Sequence, residues 1–226
     1  MEVIYIAEPI ISTNTNKLIA VELLSRFYSK TGVPLSTQRV LSTFTTTMKI
    51  NLLKSQIKAI ISHRDFFERH ETLCSVNVDY ETCLYISCDN EIQKVISKNK
   101  FIVLEISETY PELTQENDVI PFLCSLTEYI WLDDFGSRNS TMHTAMKNKY
   151  HAIKLDKLFF QENIQKPYFE GIINNLKRLC PNIIAEGVEN IYYNGLSTKT
   201  GLWGTQGYFF PSVPLSEIKH INSAWL

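Results

Sequence analysis

Short apolar runs alternate with longer amphipathic segments along nearly the whole chain. The runs are rich in Val, Ile, Leu and aromatic residues, a pattern that predicts buried β-strands. They are residues 3–11, 18–24, 73–79, 101–104, 129–132, 150–155, 182–185 and 202–205. A short polar turn at residues 12–16 joins the first two runs, which predicts an antiparallel hairpin as the first element.

The segments between the runs carry apolar residues at helical spacing, and Ser36 is the predicted N-cap of the first. The predicted helical segments are residues 36–61, 91–97, 119–126, 140–147, 167–179 and 215–221. Strands that alternate with helices indicate an α/β fold with a mainly parallel sheet. About eight strands in a single domain favour a closed barrel over an open sheet.

The predicted strands end in polar or charged residues that their apolar runs do not explain. These residues are Glu22, Asn77, Glu105, Asp133 with Asp134, Lys154, Glu186 and Gln206. One strand and helix of a barrel take roughly 20 to 30 residues. The spacing of the set fits one such unit per step, with two units for the first. Because the carboxyl ends of the strands meet on one face of a barrel, we expect the set to converge there.

Some members of this set also have plain structural explanations when each is taken alone. Asp133 and Asp134 could solvate a loop and cap the next helix, whereas a bound cation would remove the repulsion between them. Glu22 lies in an apolar run, where a carboxylate is costly unless it is paired, for example with Arg26, or bound to a metal. The convergence of seven strand ends on one rim favours a shared site.

The residue types indicate a metal-dependent reaction. Carboxylates and an asparagine carbonyl are oxygen donors, which suit Mg²⁺ or Mn²⁺ rather than zinc. None of the five histidines stands at a strand end in a spaced pair, which also disfavours zinc. Asp133 and Asp134 could hold two cations about 4 Å apart, the arrangement used for attack on phosphate esters. Lys154 beside them could orient water and stabilise negative charge.

Composition and charge exclude several other classes of protein. The 226 residues suit one barrel, and no repeat, low-complexity tract or linker divides them, so we expect a single domain over residues 1–226. A net charge of −2 with scattered cations disfavours a nucleic-acid polymer as partner. No apolar run approaches the ~20 residues needed to cross a membrane. The five cysteines form no C-x-x-C pair and indicate a reducing, cytoplasmic compartment.

Seven short motifs surround the residues at the strand ends. They are Glu22-Leu23-Leu24-Ser25-Arg26, Asn77-Val78-Asp79, Glu105-Ile106-Ser107-Glu108, Asp133-Asp134-Phe135-Gly136, Lys154-Leu155-Asp156, Glu186-Gly187-Val188-Glu189 and Gln206-Gly207-Tyr208. In this order they resemble the motifs of the EAL-domain family of cyclic di-GMP phosphodiesterases, over essentially the whole chain. The resemblance implies a modified TIM (β/α)8 barrel whose first strand is antiparallel. It also implies a homodimer that hydrolyses cyclic di-GMP to linear pGpG with one or two Mg²⁺ or Mn²⁺ ions.

The resemblance also implies catalytic roles, position by position. The implied metal ligands are Glu22, Asn77, Glu105 and Asp133 for one ion, and Asp133 with Asp134 for a second. Lys154 is implied to contact the attacking water, and Glu186 to act as the general base. Gln206 is implied to support the metal and its water.

Further residues are implied to bind substrate or to support the site. Arg26 corresponds to a contact with the substrate phosphate, and Leu23 lies in the motif that lines the substrate site. The implied supporting residues besides Gln206 are Asp156, Ser137, Glu108 and Glu189. The last two are implied to hold the loop after Asp134, with surface salt bridges as the alternative explanation.

Two departures from the family pattern bear on activity. The signature Glu-Ala-Leu is Glu22-Leu23-Leu24 here, which places a larger side chain near the site. The usual Asp-Phe-Gly-Thr-Gly reads Asp134-Phe135-Gly136-Ser137-Arg138, and an arginine would be strained wherever the glycine has a positive φ. These departures motivate an alternative, a catalytically weakened domain that acts as a cyclic di-GMP receptor or a protein-binding regulator. No implied metal ligand is missing, which favours the enzyme.

Overall fold

A computed structural model describes residues 1–106, 119–137 and 142–223. The strands within these ranges are β1 (Glu2–Ser12), β2 (Leu18–Tyr28), β3 (Pro34–Leu35), β4 (Leu73–Val78), β5 (Ile102–Ile106), β6 (Ile130–Phe135), β7 (Ala152–Leu155), β8 (Ile183–Ala185), β9 (Gly204–Gln206) and β10 (Val213–Pro214). The helices are α1 (Thr37–Leu41), α2 (Thr46–Ile61), α3 (Arg64–Arg69), α4 (Tyr80–Cys88), α5 (Asn90–Lys98), α6 (Ile120–Leu126), α7 (Met142–Lys147), α8 (Lys157–Asn163), α9 (Phe169–Leu179) and α10 (Ile191–Lys199). A 3₁₀ helix at Leu215–Ser223 follows them.

Eight of the strands close into a barrel. Hydrogen bonds link them in the order β1-β9-β8-β7-β6-β5-β4-β2, and the pairing of β1 with β2 completes the ring. β1 is antiparallel to both of its barrel neighbours, whereas all other neighbours in the ring are parallel. The short strands β3 and β10 add to β2 and β1 outside the ring. The predicted modified (β/α)8 barrel with an antiparallel first strand is confirmed.

The turn between β1 and β2 explains why the first strand is reversed. The Oγ atom of Ser12 accepts hydrogen bonds from the backbone N–H groups of Asn14 and Thr15, and Asn16 has a φ of 53°. Asparagine tolerates this left-handed conformation better than most residues. So short a connection can only join antiparallel strands, because a parallel pair needs a crossover of a dozen or more residues. The local turn residues therefore set the direction of β1.

An apolar layer fills the inside of the barrel below the polar strand ends. It consists of Ile10, Ala20, Val103, Trp131, Ala152 and Ile184, all buried. Side chains two positions apart on a strand share a face, so the residues that follow this layer on the parallel-running strands also point inward. Those residues are Glu22, Glu105, Asp133, Lys154 and Glu186. The apolar layer therefore forms the floor of the polar site.

The predicted helix over residues 36–61 is interrupted in the structure. Ser36 does cap α1, since its Oγ accepts from the backbone N–H of Arg39 at 3.4 Å. Residues 42–45 then leave the helix, and the Thr45 hydroxyl caps α2 through the N–H of Met48. Serine and threonine hydroxyls compete with helical hydrogen bonds, so the polar residues between α1 and α2 end one helix and start another.

Four helices, α3, α4, α8 and α10, were not predicted. The last three begin at side-chain caps, Asp79, Asp156 and Asn190. Asp79 and Thr82 form a reciprocal capping box, so Asp79 starts α4 and the strand before it ends at Val78. The Asp-x-x-Thr spacing was a usable signal for that helix. No helix in the described part of the chain is long and apolar enough to cross a membrane.

Candidate active site

Lys154 lies at the centre of the polar layer, with 1% of its side chain exposed. Its Nζ atom lies 2.9 Å from Glu22 Oε2, 2.6 Å from Glu105 Oε1 and 2.6 Å from Glu186 Oε1. An ammonium group has three N–H donors, so these contacts use its full capacity. Asp133 Oδ1 lies farther away, at 3.5 Å, and receives no hydrogen bond from the described residues. One cation thus faces four carboxylates.

This excess of carboxylates shifts the pKa values of the group. Burial and the neighbouring Glu22 raise the pKa of Glu105 well above its ordinary value. Burial likewise raises the pKa of Asp133 and brings the pKa of Glu186 to about 8. Burial also acts to raise the pKa of Glu22, but Lys154 and the amide donors around Glu22 outweigh it, and the net shift is downward. Without a second cation, part of the cluster therefore retains protons at neutral pH.

The backbone at Asp134 brings two adjacent carboxylates to the same place. In a regular strand, successive side chains point to opposite faces. Asp134 instead has a φ of 51°, and the pairing of β6 with β7 shifts register between Leu132 and Phe135. Carboxylate oxygens of Asp133, Asp134 and Glu186 consequently lie within 4.8 Å of one another. The strand predicted to end at residue 132 continues through both aspartates.

Two amide side chains hold Glu22 from its flanks. Asn77 Nδ2 donates to Glu22 Oε1 at 2.8 Å, and Gln206 Nε2 donates to Glu22 Oε2 at 2.7 Å. The Gln206 nitrogen also lies 3.2 Å from Glu8 Oε1. Glu22 is therefore held in position by hydrogen bonds from both sides as well as by Lys154.

Several buried oxygen atoms of this cluster have no hydrogen-bond partner among the described residues. They are Glu105 Oε2, Asp133 Oδ1 and Gln206 Oε1. Buried acceptors are normally paired, and a divalent cation or its water is the natural partner for such atoms. Glu22, Glu105 and Glu186 also offer oxygens within 4.8 Å of one another, a second group of the size a metal ion requires. The donor set fits Mg²⁺ or Mn²⁺.

The two predicted substrate contacts lie beside the cluster. Arg26 is exposed and forms no ion pair within 4 Å with any described residue, so the alternative salt bridge to Glu22 was wrong. It borders both a cavity of about 350 Å³ above the carboxylates and an adjoining groove of about 510 Å³. Leu23 is 1% exposed and contributes to the wall of the groove. Arg26 is thus available to an anionic ligand.

The predicted supporting residues occupy different surroundings. Asp156 caps α8 by accepting from the N–H of Phe159 at 2.8 Å. Glu189 forms a salt bridge of 2.6 Å with Lys157 at the rim. This matches the alternative explanation for Glu189, a surface salt bridge. The Ser137 hydroxyl is buried without a partner among the described residues, and its N–H donates to Asp134 O at 3.0 Å. Glu108 and Arg138 lie outside the described residues.

Sequence reasoning missed two charged residues of the cavity, Glu8 and Lys157, and gave no role to Tyr208, which stands in the last of the seven motifs. Glu8 carried a usable signal, because it is a carboxylate inside an apolar strand, as Glu22 is. Lys157 and Tyr208 lie just after strands β7 and β9, and the Lys157 ammonium lies 5.8 Å from the centroid of the Tyr208 ring. Tyr208 is 84% exposed, so its ring is accessible at the mouth of the cavity.

Comparison with known proteins identifies the family. The sequence pattern of the EAL domain matches residues 2–212. The putative anti-FlhC(2)FlhD(4) factor YdiV of Escherichia coli is 29% identical to this chain, over 92% of the chain and 90% of its own length. The cyclic di-GMP phosphodiesterase PdeH of Escherichia coli is 28% identical over 82% of the chain and 73% of its own length. The crystal structure of the EAL-like domain protein YdiV has a TM-score of 0.87 at 26% identity, and the match covers 97% of this chain and 95% of that one. This chain therefore belongs to the EAL-domain family.

Proposed function

We propose that this protein is a metal-dependent phosphodiesterase that hydrolyses cyclic di-GMP to linear pGpG and so lowers the cellular level of cyclic di-GMP. The observation that carries the proposal is the set of oxygen donors around Lys154, several of whose buried atoms have no hydrogen-bond partner among the described residues. The similarity to a cyclic di-GMP phosphodiesterase over most of the chain supports the same substrate.

The proposed cofactor is Mg²⁺ or Mn²⁺, as one or two ions. Glu22, Asn77, Glu105 and Asp133 would hold one ion, and Asp133 with Asp134 would hold a second. When bound, such ions polarise the phosphodiester and lower the pKa of water. Their positive charge also favours ionised carboxylates, which would reverse the upward pKa shifts of Glu105 and Glu186.

The side chains of the cluster then have separate tasks in the proposed reaction. With the carboxylates shared by bound cations, the Lys154 ammonium would have an N–H free to orient the attacking water, and its charge stabilises negative charge that develops on the phosphoryl group. Glu186, 2.6 Å from Lys154 and bordering the cavity, accepts the proton of that water. Arg26 binds the phosphate of the substrate, and the groove lined by Leu23 accommodates one nucleoside. As the water oxygen bonds to phosphorus, the bond from phosphorus to the 3′ oxygen breaks and the 3′ oxygen takes a proton from solvent water, so that pGpG retains one intact phosphodiester.

A second candidate is a regulator that binds a protein instead of turning over a nucleotide. The observation in its favour is the similarity to a putative anti-FlhC(2)FlhD(4) factor over nine-tenths of both chains. A regulator of this kind has no need for a buried set of oxygen donors that lack hydrogen-bond partners among the described residues. Since such atoms lower stability without a ligand, the donor set of this chain favours the enzyme.

The two candidates are separated by incubating the purified protein with cyclic di-GMP and Mn²⁺ and resolving the nucleotides by chromatography. We expect pGpG to accumulate, and chelation of the metal or Glu22→Ala to lower the rate at least about a hundredfold. Glu2→Ala is the matched control, because Glu2 lies exposed at the far end of β1. Absence of pGpG would overturn the enzyme: tight metal-independent binding of cyclic di-GMP in calorimetry would then identify a receptor, and absence of nucleotide binding as well would favour the protein-binding regulator.

We further propose a homodimer in the cytoplasm. The five cysteines are all free thiols, as expected in a reducing compartment. A dimer is the expectation from the family resemblance. Light scattering at concentrations where the enzyme is active should give twice the monomer mass, and a single monomeric mass would contradict the dimer.

A further inference from the structure

We infer that Glu8 is a positioning residue of this site, which fixes the carboxamide of Gln206 so that its carbonyl oxygen faces the cation. The inference rests on the proposed function only in requiring that the site binds a divalent cation. Glu8 lies in the middle of β1, and none of the seven sequence motifs at the strand ends includes it.

The reversed direction of β1 brings Glu8 into the polar layer. On the parallel-running strands, the residue two positions after the apolar floor faces the site. On β1 the corresponding residue comes two positions before the floor residue Ile10. Glu8 accordingly lies opposite Glu22 across the β1–β2 pair, while Ile10 lies opposite Ala20 and Gln206. Glu8 is thus a structural equivalent of the strand-end carboxylates.

Two carboxylates determine the orientation of the Gln206 amide. Its Nε2 atom lies 2.7 Å from Glu22 Oε2 and 3.2 Å from Glu8 Oε1. The nitrogen has two hydrogens, so one N–H donates to each carboxylate. The opposite orientation would place the carbonyl oxygen against two carboxylate oxygens, which are acceptors only. Glu8 and Glu22 therefore direct Oε1 away from themselves.

The oxygen that this arrangement directs inward finds no hydrogen-bond donor in the described part of the chain. Gln206 is 3% exposed, and its Oε1 atom is buried with no hydrogen-bond donor among the described residues. An unpaired buried acceptor is destabilising, and binding of a cation or its water removes that cost. Without Glu8, the amide retains a single carboxylate contact and can turn its oxygen away from the cation. Glu8 thus acts on the cation through Gln206.

The test is the Mn²⁺ affinity measured by calorimetry without nucleotide. We expect Glu8→Ala to weaken Mn²⁺ binding about tenfold, the size typical for outer residues that orient metal ligands. Glu8→Gln should stay near the wild-type affinity, because its side-chain oxygen accepts the same hydrogen bond. Glu8→Ala combined with Gln206→Ala should bind no more weakly than Gln206→Ala alone, since the two act through one contact. Glu2→Ala is the control for loss of a carboxylate from β1.

Stability separates positioning from a merely structural role. In EDTA, Glu8→Ala should unfold at or above the wild-type temperature, because a carboxylate beside Glu22 is removed. A lower unfolding temperature in EDTA would assign Glu8 a structural role and overturn the inference. Equal losses of Mn²⁺ affinity in Glu8→Gln and Glu8→Ala would show that the charge of Glu8 acts, not its hydrogen bond, and would overturn the inference. Additive losses in the double variant would overturn it as well, because they would show that Glu8 acts independently of Gln206.

The remaining outcomes distinguish the inference from the proposed function. Wild-type protein that binds no Mn²⁺ would overturn both. Wild-type protein that binds Mn²⁺ and turns over cyclic di-GMP, with Glu8→Ala binding Mn²⁺ equally tightly, would overturn the inference alone.

Discussion

Replacing Lys154 by methionine should strongly destabilise the metal-free protein at alkaline pH. The ammonium is 1% exposed and lies within 2.9 Å of three carboxylates, with a fourth at 3.5 Å. Breaking a buried ion pair by removing one partner typically costs about 3–5 kcal/mol. For a domain of this size, each kcal/mol lowers the unfolding temperature by roughly 2–4 °C. We therefore expect a decrease of about 10 °C at pH 8.

The decrease should depend on pH in a defined direction. The pKa of Glu186 is already about 8 in the folded protein, and the pKa values of Glu105 and Asp133 are also raised. Removing the ammonium raises them further. A carboxyl group whose pKa is raised by folding destabilises the folded state as pH rises from its unfolded value through its folded one. The difference between Lys154→Met and wild type should therefore be small near pH 5 and largest at pH 8.

Thermal unfolding followed by circular dichroism in EDTA measures this difference. Lys157→Met is the matched control, because its salt bridge to Glu189 is exposed at the rim and contributes at most about 1 kcal/mol. Mn²⁺ should restore part of the stability of Lys154→Met, since a cation again faces the carboxylates. If Lys154→Met unfolds within about 2 °C of Lys157→Met at pH 8, the ammonium does not hold the cluster together and the electrostatic argument is refuted.

Three further predictions follow from the same structure. In EDTA the free energy of unfolding of the wild-type protein should fall between about pH 4.5 and 8, because Glu186 must ionise in its buried position. Mn²⁺ should stabilise the protein most at pH 8. Denaturant titrations in which the free energy of unfolding rises over this pH range would contradict the prediction. Asp134→Gly should be more stable than Asp134→Ala by about 1 kcal/mol, because only glycine accepts a φ of 51° freely, and calorimetry should find weaker Mn²⁺ binding in both. Gly207→Ala should cost about 2 kcal/mol or more in urea unfolding, since its Cβ would lie 2.5 Å from the backbone of Val188, whereas Gly195→Ala in open space should stabilise α10 by about 1 kcal/mol.

Much of the site could be predicted from the sequence, because residues at the carboxyl ends of successive parallel strands meet on one face of a barrel. Glu22, Glu105, Asp133, Lys154 and Glu186 stood out as charged residues at the ends of apolar runs, and the structure brings them together around one ammonium. The catalytic roles of these residues remain predictions.

Other predictions did not match the structure, because they depended on hydrogen bonds that the hydrophobic pattern does not show. Polar residues 42–45 split the long predicted helix, and short capped helices such as α4 follow strands too closely for periodicity to show them. Arg26 was given a possible partner in Glu22 from sequence proximity, but Glu22 is already held by Lys154 and two amides. Contacts between distant segments outweighed the local pairing.

The sequence by itself determined the strands, the polar residues that follow them and the hairpin that reverses β1, because these depend on periodicity and on local turn chemistry. Only the tertiary structure decided how these side chains are arranged around the site and that Glu8 joins them. The reversed β1 places Glu8, from the middle of an apolar run, opposite Glu22. The left-handed Asp134 brings two successive carboxylates together, although a regular strand would separate them. Both effects depend on the register between neighbouring strands and on which face of each strand turns inward, and these are fixed only when the barrel closes.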